Sequence, residues 1–212
     1  MRNKALSIFY MFLVTLFFAS LVSAVKYFNE RKIELNQTVK LQRIILKVLD
    51  IPVNEGASDV DLFELFKQRV KEIQVDEKSL YVGYQQDGRT LQGYALPVGG
   101  PGFWGPIKGM VGIDNDGKRI LGIAFYQHNE TPGLGGRITE AWFSDQFKGL
   151  SLFPIEGDQN IFYLNPEGMG KTPNELDAIT GATNTSSAVE EFLNQELDFF
   201  LRNLWPALEE KD

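Results

Sequence analysis

Residues 177–183 read Asp-Ala-Ile-Thr-Gly-Ala-Thr and lie directly before the last predicted helix, which spans residues 185–204. That helix is predicted because apolar residues from position 189 to position 204 recur at helical spacing. A threonine hydroxyl just ahead of a helix N-terminus is well placed to hold a phosphate, since free N–H groups and the positive end of the helix dipole point towards it. The alternative is an ordinary N-cap formed by Asn184 or Thr185, and the spacing alone favours this alternative.

The chain before this segment combines helices with short strands. Strands are predicted over residues 80–84, 91–98, 107–113 and 119–128, separated by turns rich in Asn, Asp and Gly. Helices are predicted over residues 26–48, over residues 138–147, and from an N-cap at Ser58 or Asp59 to Ile73. Runs of strands joined by tight turns favour an antiparallel sheet. The expected fold class is α+β, with one domain in which an antiparallel sheet is flanked by helices.

Residues 5–25 carry no charged side chain, and these 21 residues would form a helix of about 31 Å, close to the thickness of a bilayer's hydrocarbon core. The expected organisation is an N-terminal tail and transmembrane anchor over residues 1–25, followed by one domain over residues 26–212. The alternative is a cleaved signal peptide, because a basic region precedes the apolar run and Val22-Ser23-Ala24 fits a cleavage site. A retained anchor is favoured, since the run exceeds the usual ~7–15 apolar residues of a signal peptide.

Composition excludes several kinds of site. The 212 residues include no Cys and a single His, so Cys-ligated clusters, disulfides and cysteine nucleophiles are excluded and a His-rich metal centre is not expected. Only Arg2 and Lys4 precede the apolar run, so the remaining 19 basic and 28 acidic residues give residues 26–212 a net charge of −9. This charge argues against nucleic acid as a partner and against attraction to anionic lipid. Redox chemistry would therefore require an organic cofactor or carboxylates.

Residues 100–105 read Gly-Pro-Gly-Phe-Trp-Gly and match the spacing of the G-x-G-x-x-G dinucleotide fingerprint. That motif requires a following helix whose N–H groups hold a pyrophosphate, whereas Pro101 and Pro106 lack N–H groups and a strand is predicted next. A tight turn between strands is expected instead. A functional interpretation of the same turn is that Phe103 and Trp104 offer an aromatic wall to a flat ligand, because glycine allows close approach of the backbone.

Residues 128–137 read His-Asn-Glu-Thr-Pro-Gly-Leu-Gly-Gly-Arg and follow a predicted strand. The simplest interpretation is a long connecting loop. Glycine-rich backbone can also hydrogen-bond the edge of a planar heterocycle, and Arg137 could supply a cation. His128 with Glu130 is weak evidence for a metal, so His128 is interpreted as structural and no metal site is expected.

A family resemblance rests on the Asp-Ala-Ile-Thr-Gly-Ala-Thr motif at residues 177–183, the Glu-Thr-Pro-Gly-Leu-Gly motif at residues 130–135 and one N-terminal apolar span. Together these two motifs and the span resemble the FMN-binding family that includes the NqrC component of the sodium-translocating NADH:quinone oxidoreductase and the RnfG component of the Rnf electron-transport complex. In that family, a flavin transferase joins FMN through its phosphate to the last threonine of D-x-x-[ST]-G-A-T. The resemblance implies covalent FMN on Thr183, with a recognition pattern completed by Asp177, Thr180, Gly181 and Ala182. It also implies a loop beside the flavin formed by Glu130, Thr131, Pro132, Gly133, Leu134 and Gly135.

The resemblance implies a membrane-anchored electron-transfer subunit of an ion-translocating NADH:quinone oxidoreductase or Rnf complex, coupled to Na⁺ or H⁺. Since the flavin supplies the redox chemistry, no catalytic acid or base is expected. Its implied partners are the other membrane subunits, the flavin transferase during maturation and membrane lipid. Residues 102–105 look like the quinone-reductase component, whereas residues 105–108 and the short length look more like the Rnf component.

The resemblance also implies a single-pass protein of the cytoplasmic (inner) membrane with an extracytoplasmic FMN domain. The five basic residues soon after the span, against two before it, would by themselves keep the domain inside. Two alternatives to the relay subunit remain. One is a standalone membrane-tethered extracytoplasmic flavoprotein reductase, and the other is a non-redox adhesion or assembly protein whose threonine motif is only an N-cap.

Overall fold

The computed structural model describes residues 2–54, 56–75, 78–169 and 172–209. The chain forms two compact units, Met1–Leu41 and Gln42–Asp212, and helix α1 (Arg2–Val48) begins in the first and ends in the second. The expected N-terminal apolar helix is confirmed: Leu6–Asn29 is long and apolar enough to cross a membrane, and none of it is buried. A signal sequence has the same length and composition. The helix predicted over residues 26–48 is the second half of α1.

The second unit is built on a five-stranded antiparallel sheet in the order β1-β2-β3-β4-β5. The strands are β1 (Val70–Val75), β2 (Lys78–Tyr84), β3 (Leu91–Pro101), β4 (Pro106–Asp114) and β5 (Ile120–Gln127). The last four match the predicted strands closely, because short runs rich in apolar residues lie between Gly- and Asp-rich turns.

Strand β1 corrects the prediction that the second helix continues to Ile73. Helix α2 (Asp59–Arg69) ends one residue before Val70, whose backbone is extended at φ −131° and ψ 134°. Val70 and Ile73 pair with Gly83 and Leu80 of β2. A spacing of three residues fits a helix, but pairing with β2 is stronger here than the helical preference of this segment.

The predicted N-cap of α2 is confirmed at Ser58, in a capping box with Asp61. The Ser58 hydroxyl accepts the Asp61 N–H at 3.2 Å, and the Asp61 carboxylate accepts the Ser58 N–H at 3.0 Å. The helix packs on the domain through Leu62. Leu62 is fully buried, whereas Val60 is 70% and Phe63 is 49% exposed.

Smaller elements follow the sheet: a 3-10 helix (Gly135–Thr139), α3 (Ala141–Asp145), β6 (Tyr163–Asn165), β7 (Glu175–Asp177), α4 (Thr183–Phe199), a π-helical turn (Phe200–Leu204) and α5 (Trp205–Glu209). The helix predicted over residues 138–147 is divided because Glu140 is extended, at φ −74° and ψ 147°. The last helix begins two residues earlier than predicted. Strands β6 and β7 pair in parallel and were not predicted.

Helices cover both faces of the sheet, which confirms the α+β class. Val111 and Ile113 belong to the main core, which also contains Phe192 and Leu197 of α4. Gly112 alternates with them and faces the end of α1, where a Cβ on Gly112 would lie 1.8 Å from the Val48 carbonyl oxygen. The main core thus supports the start of α4 and the β3–β4 turn, the two elements on which the site is built.

Hydrogen bonds to Asp87 in the turn between β2 and β3 predict how stability depends on pH. The Asp87 carboxylate accepts the Thr90 hydroxyl at 2.5 Å and the Arg89 and Thr90 N–H groups at 2.9 Å each. These bonds, first that of the hydroxyl, lower the pKa of Asp87 to about 2. Because the folded pKa is depressed, the stabilisation is present above the unfolded pKa and is lost as the pH falls through about 2.

We therefore expect the carboxyl carbon resonance of Asp87 to titrate with a midpoint near 2, and Thr90→Val to raise that midpoint. A midpoint at the ordinary value of 3.8 in the native protein would contradict the turn geometry.

Candidate functional site

A cavity of about 360 Å³ lies where the β3–β4 turn, the loop after β5 and the start of α4 meet. Its volume falls within the range of about 300–1,000 Å³ of small-molecule sites. Its walls are formed by Phe103, Trp104, Glu130, Thr131, Leu134, Gly135, Gly181, Ala182, Thr183, Asn184 and Thr185. Three segments singled out in the sequence therefore meet at one cleft.

The aromatic wall of the cleft is the turn that joins β3 to β4. The Gly102 N–H donates to the Gly105 carbonyl oxygen at 2.8 Å, so the expected tight turn is confirmed. Phe103 and Trp104 are 52% and 64% exposed, and their rings meet edge to face with centroids 4.9 Å apart. Strand β4 follows this turn, so the geometry of a dinucleotide fingerprint is absent from residues 100–114.

The loop after β5 folds back on itself around Thr131, whose carbonyl oxygen accepts the Leu134 N–H at 3.1 Å and the Gly136 N–H at 3.0 Å. Gly133, at φ +75°, permits this reversal. The His128 Nδ1 accepts the Glu130 N–H at 3.2 Å, which gives His128 a structural role in the loop. The loop thereby presents Glu130, Thr131, Leu134 and Gly135 to the cleft.

Glu130 lies at the base of the cleft and is only 4% exposed. One carboxylate oxygen accepts the Trp104 N–H at 2.9 Å, and the other accepts the Thr185 hydroxyl at 2.5 Å. Gly135 is required beside this contact, because a Cβ there would lie 2.4 Å from the Thr185 Oγ1. Thr185 was not predicted as a site residue. No local pattern reveals it, since its partner lies 55 residues away.

Helix α4 begins at Thr183, with Ala182 in the N-cap position and no side chain capping the helix in this described region. Asn184 and Thr185 are therefore the second and third helical residues, and the interpretation of either one as the N-cap is wrong. The first N–H groups of an uncapped helix and the positive end of its dipole form a favourable environment for a phosphate. Thr183, whose side chain carries a hydroxyl, is exposed at this position and lines the cleft.

Four predicted residues do not line the cleft: Asp177, Thr180, Pro132 and Gly133. Asp177 ends β7, where its N–H donates to the Gln146 Oε1 at 2.7 Å and its carbonyl oxygen accepts the Gln146 Nε2 at 3.2 Å. Thr180 is exposed in the turn that leads to Thr183. These contacts fix the path of residues 177–183 towards α4.

Arg137 does not supply the cation that the sequence suggested. Its Nε donates to the Glu140 carboxylate at 3.1 Å, and its guanidinium lies 5.0 Å from the centre of the Trp142 ring. It is not among the residues that line the cleft. The described part of the chain contains no cluster of three or more His, Cys, Asp or Glu side chains able to hold a metal ion.

These features fit a planar ligand that ends in a phosphate. Exposed aromatic and apolar side chains can contact a flat ring, glycines let the backbone approach it, and the uncapped helix can receive a phosphate beside a threonine hydroxyl. The same region defines the class of protein: residues 102–198 match the family described as FMN-binding domain. The family resemblance drawn from the two motifs is thereby confirmed.

Curated relatives match about half of the chain. The chain is 37% identical over 108 residues to the NqrC component of the Na⁺-translocating NADH-quinone reductase from Yersinia pestis, an alignment that covers 51% of this chain and 41% of that protein. The chain spans about two fifths of the length of the curated relatives that it matches.

Two solved structures share the fold. The crystal structure of the NqrC component of the same enzyme from Parabacteroides distasonis matches with a TM-score of 0.67 at 25% identity, covering 81% of this chain and 94% of that one. Shewanella oneidensis NqrC matches with a TM-score of 0.66 at 21% identity, covering 81% and 97%, which shows the fold alone. Residues 102–198 thus match the FMN-binding domain family, and the chain shares its fold with these two solved structures.

Proposed function

We propose that this chain is a membrane-anchored flavoprotein that carries FMN covalently on Thr183 and relays electrons within an ion-translocating NADH:quinone oxidoreductase. One observation carries the proposal: a single cleft joins Thr183, at the uncapped start of α4, to the Glu130–Gly135 loop and the aromatic turn. FMN, when attached, supplies the redox chemistry. The protein supplies the position of the ring, its hydrogen bonds and its local charge environment.

Each wall of the cleft has a proposed role. Thr183 is the tether, and the N–H groups of the first turn of α4 stabilise the charge of the phosphoester. Phe103 and Trp104 would hold the flat ring, and the backbone of the glycine-rich loop would supply hydrogen bonds to it. A covalent tether keeps the cofactor attached even where the ring lies in an open cleft, and an exposed ring suits electron exchange with neighbouring proteins.

Residues 177–183 have a second proposed role, as the recognition pattern for a flavin transferase during maturation. Thr180, Gly181 and Thr183 are exposed, so an enzyme can reach the acceptor and its neighbours. Gly181 adopts φ +79°, a conformation that favours glycine. Asp177 and Ala182 complete the pattern by position.

The partners proposed are the other membrane subunits of the complex, with the apolar helix held in lipid. The names of the matched relatives favour the Na⁺-translocating quinone reductase over the Rnf complex, and Na⁺ over H⁺ as the coupled ion. A standalone membrane-tethered reductase is the second candidate. Gentle purification from native membranes separates the two, because only a relay subunit brings stoichiometric membrane partners with it.

Residues 1–25 are proposed as the anchor and residues 26–212 as the FMN-binding domain outside the cytoplasmic membrane. Protease treatment of intact spheroplasts checks this topology. We expect the domain to be digested while a cytoplasmic marker protein survives. Protection of the domain until the membrane is opened would contradict it.

Flavin fluorescence of the denatured protein in a gel tests the proposed function. We expect a fluorescent band when the chain is expressed with a flavin transferase and none when it is expressed without one. A non-redox assembly protein would give no fluorescence in either host, and noncovalent FMN would be lost on denaturation.

A further inference from the structure

Glu130 is the single charged side chain that lines the cleft within the described part of the chain, and no described cation pairs with it. Its two carboxylate oxygens bind different elements. One accepts the N–H of Trp104 in the β3–β4 turn, 26 residues away, and the other accepts the hydroxyl of Thr185 in α4, 55 residues away. The side chain therefore connects the two opposite walls of the cleft through the loop that carries it.

Backbone encloses both oxygens of Glu130. A Cβ on Gly102 would lie 2.7 Å from Oε1, and a Cβ on Gly135 would lie 2.8 Å from Oε2. Thr185 is itself only 3% exposed. Glycine at both positions thus allows the turn and the loop to close around the carboxylate, which leaves little of it open to a ligand.

Resting on the proposed function, we infer that Glu130 is a positioning residue that clamps the aromatic turn to the first turn of α4. Thr185 follows Thr183 by two residues on α4, and Trp104 lines the cleft itself. The clamp therefore sets the distance between the aromatic wall and the threonine that carries the flavin. Loss of Glu130 leaves the buried Thr185 hydroxyl without its acceptor and lets the two walls separate.

Four substitutions, two at Glu130 and two at Thr185, separate the effect of the two hydrogen bonds from the effect of the charge. Glu130→Gln retains both links, because the amide oxygen accepts the Trp104 N–H and the amide nitrogen donates to the Thr185 hydroxyl oxygen. Glu130→Ala removes both. Thr185→Val removes the hydroxyl link while nearly preserving the shape of the side chain, and Thr185→Ser keeps the hydroxyl. Glu191→Ala, at an exposed carboxylate on α4, is the matched control.

Hydrogen exchange on the full chain in detergent, without flavin, is the first measurement. In Glu130→Ala we expect exchange to accelerate about tenfold in two segments, at the hydrogen-bonded N–H groups of Gly102 and Trp104 in the turn and of Ser186 at the start of α4, with β2 unchanged as evidence of folding. Thr185→Val should accelerate the same two segments. Glu130→Gln, Thr185→Ser and Glu191→Ala should remain within about twofold of the native protein.

Visible circular dichroism of the flavin-loaded protein is the second measurement. The signal should fall at least about twofold in Glu130→Ala and Thr185→Val and be retained in Glu130→Gln, since it depends on a fixed ring orientation. Unchanged exchange in Glu130→Ala would overturn the inference. So would a Glu130→Gln variant that behaves like Glu130→Ala. Because the exchange measurement uses no flavin, failure of covalent attachment at Thr183 would contradict the proposed function and leave the clamp to be judged separately.

Discussion

Replacing Thr183 by alanine is expected to abolish covalent flavin, because Thr183 carries an exposed hydroxyl that lines the cleft, whereas the Thr185 hydroxyl is buried against Glu130. The variant should fold normally, since Thr183 is exposed and does not occupy the N-cap position, which belongs to Ala182. Fluorescence of the denatured protein, after expression with a flavin transferase, measures the effect. The flavin fluorescence of the band should fall below the detection limit of the gel.

Two control variants test whether the loss of fluorescence is specific to the Thr183 hydroxyl. Thr139→Ala removes another exposed threonine, whose hydroxyl donates to the Gly136 carbonyl oxygen at 3.0 Å, and should leave the fluorescence unchanged. Thr183→Ser keeps a hydroxyl at the same position and should retain part of the signal. Undiminished fluorescence in Thr183→Ala would show that the flavin is joined elsewhere.

Replacing Phe147 by alanine is expected to cause a large loss of stability. Phe147 is fully buried, and its ring lies 5.6 Å from that of Phe143 and 5.2 Å from that of Phe162, measured between centroids. Truncating such a ring removes apolar burial and leaves a cavity, which costs about 3–5 kcal/mol of unfolding free energy. Urea unfolding of the native and variant proteins measures the difference.

Phe153→Ala is the matched control because Phe153 is 51% exposed. Its unfolding free energy should change by no more than about 0.5 kcal/mol. If both variants lost the same stability, the placement of Phe147 in the core would be wrong.

Local sequence patterns predicted four of the five strands of the main sheet and the N-cap of helix α2. Residues 107–113 form a short apolar run after a turn with two prolines, and Ser58 is followed three residues later by Asp61, so short-range chemistry determines both. Strand β1 was missed because Val70 and Ile73 also satisfy helical spacing, and their pairing with β2 is a tertiary effect. Strands β6 and β7 have three residues each, too few for a periodic signal.

The candidate site could be predicted in part. The family resemblance identified Thr183 and the Glu130–Gly135 loop, whereas spacing alone favoured Asn184 or Thr185 as an N-cap. The helix starts earlier because Gly181 turns the chain at φ +79°, while the Ser186 hydroxyl accepts the Ile179 N–H at 3.0 Å. The contact of Glu130 with Thr185 depends on the folded sheet and cannot be derived from either segment alone.

Mass spectrometry of proteolytic peptides from the protein purified from its own membranes tests the central proposal most directly. We expect the peptide that contains residues 177–183 to carry the added mass of one FMN joined with loss of water, and fragmentation to place it on Thr183. An unmodified Thr183 in a protein that otherwise holds FMN, or an FMN phosphoester on another residue, would contradict the proposed tether.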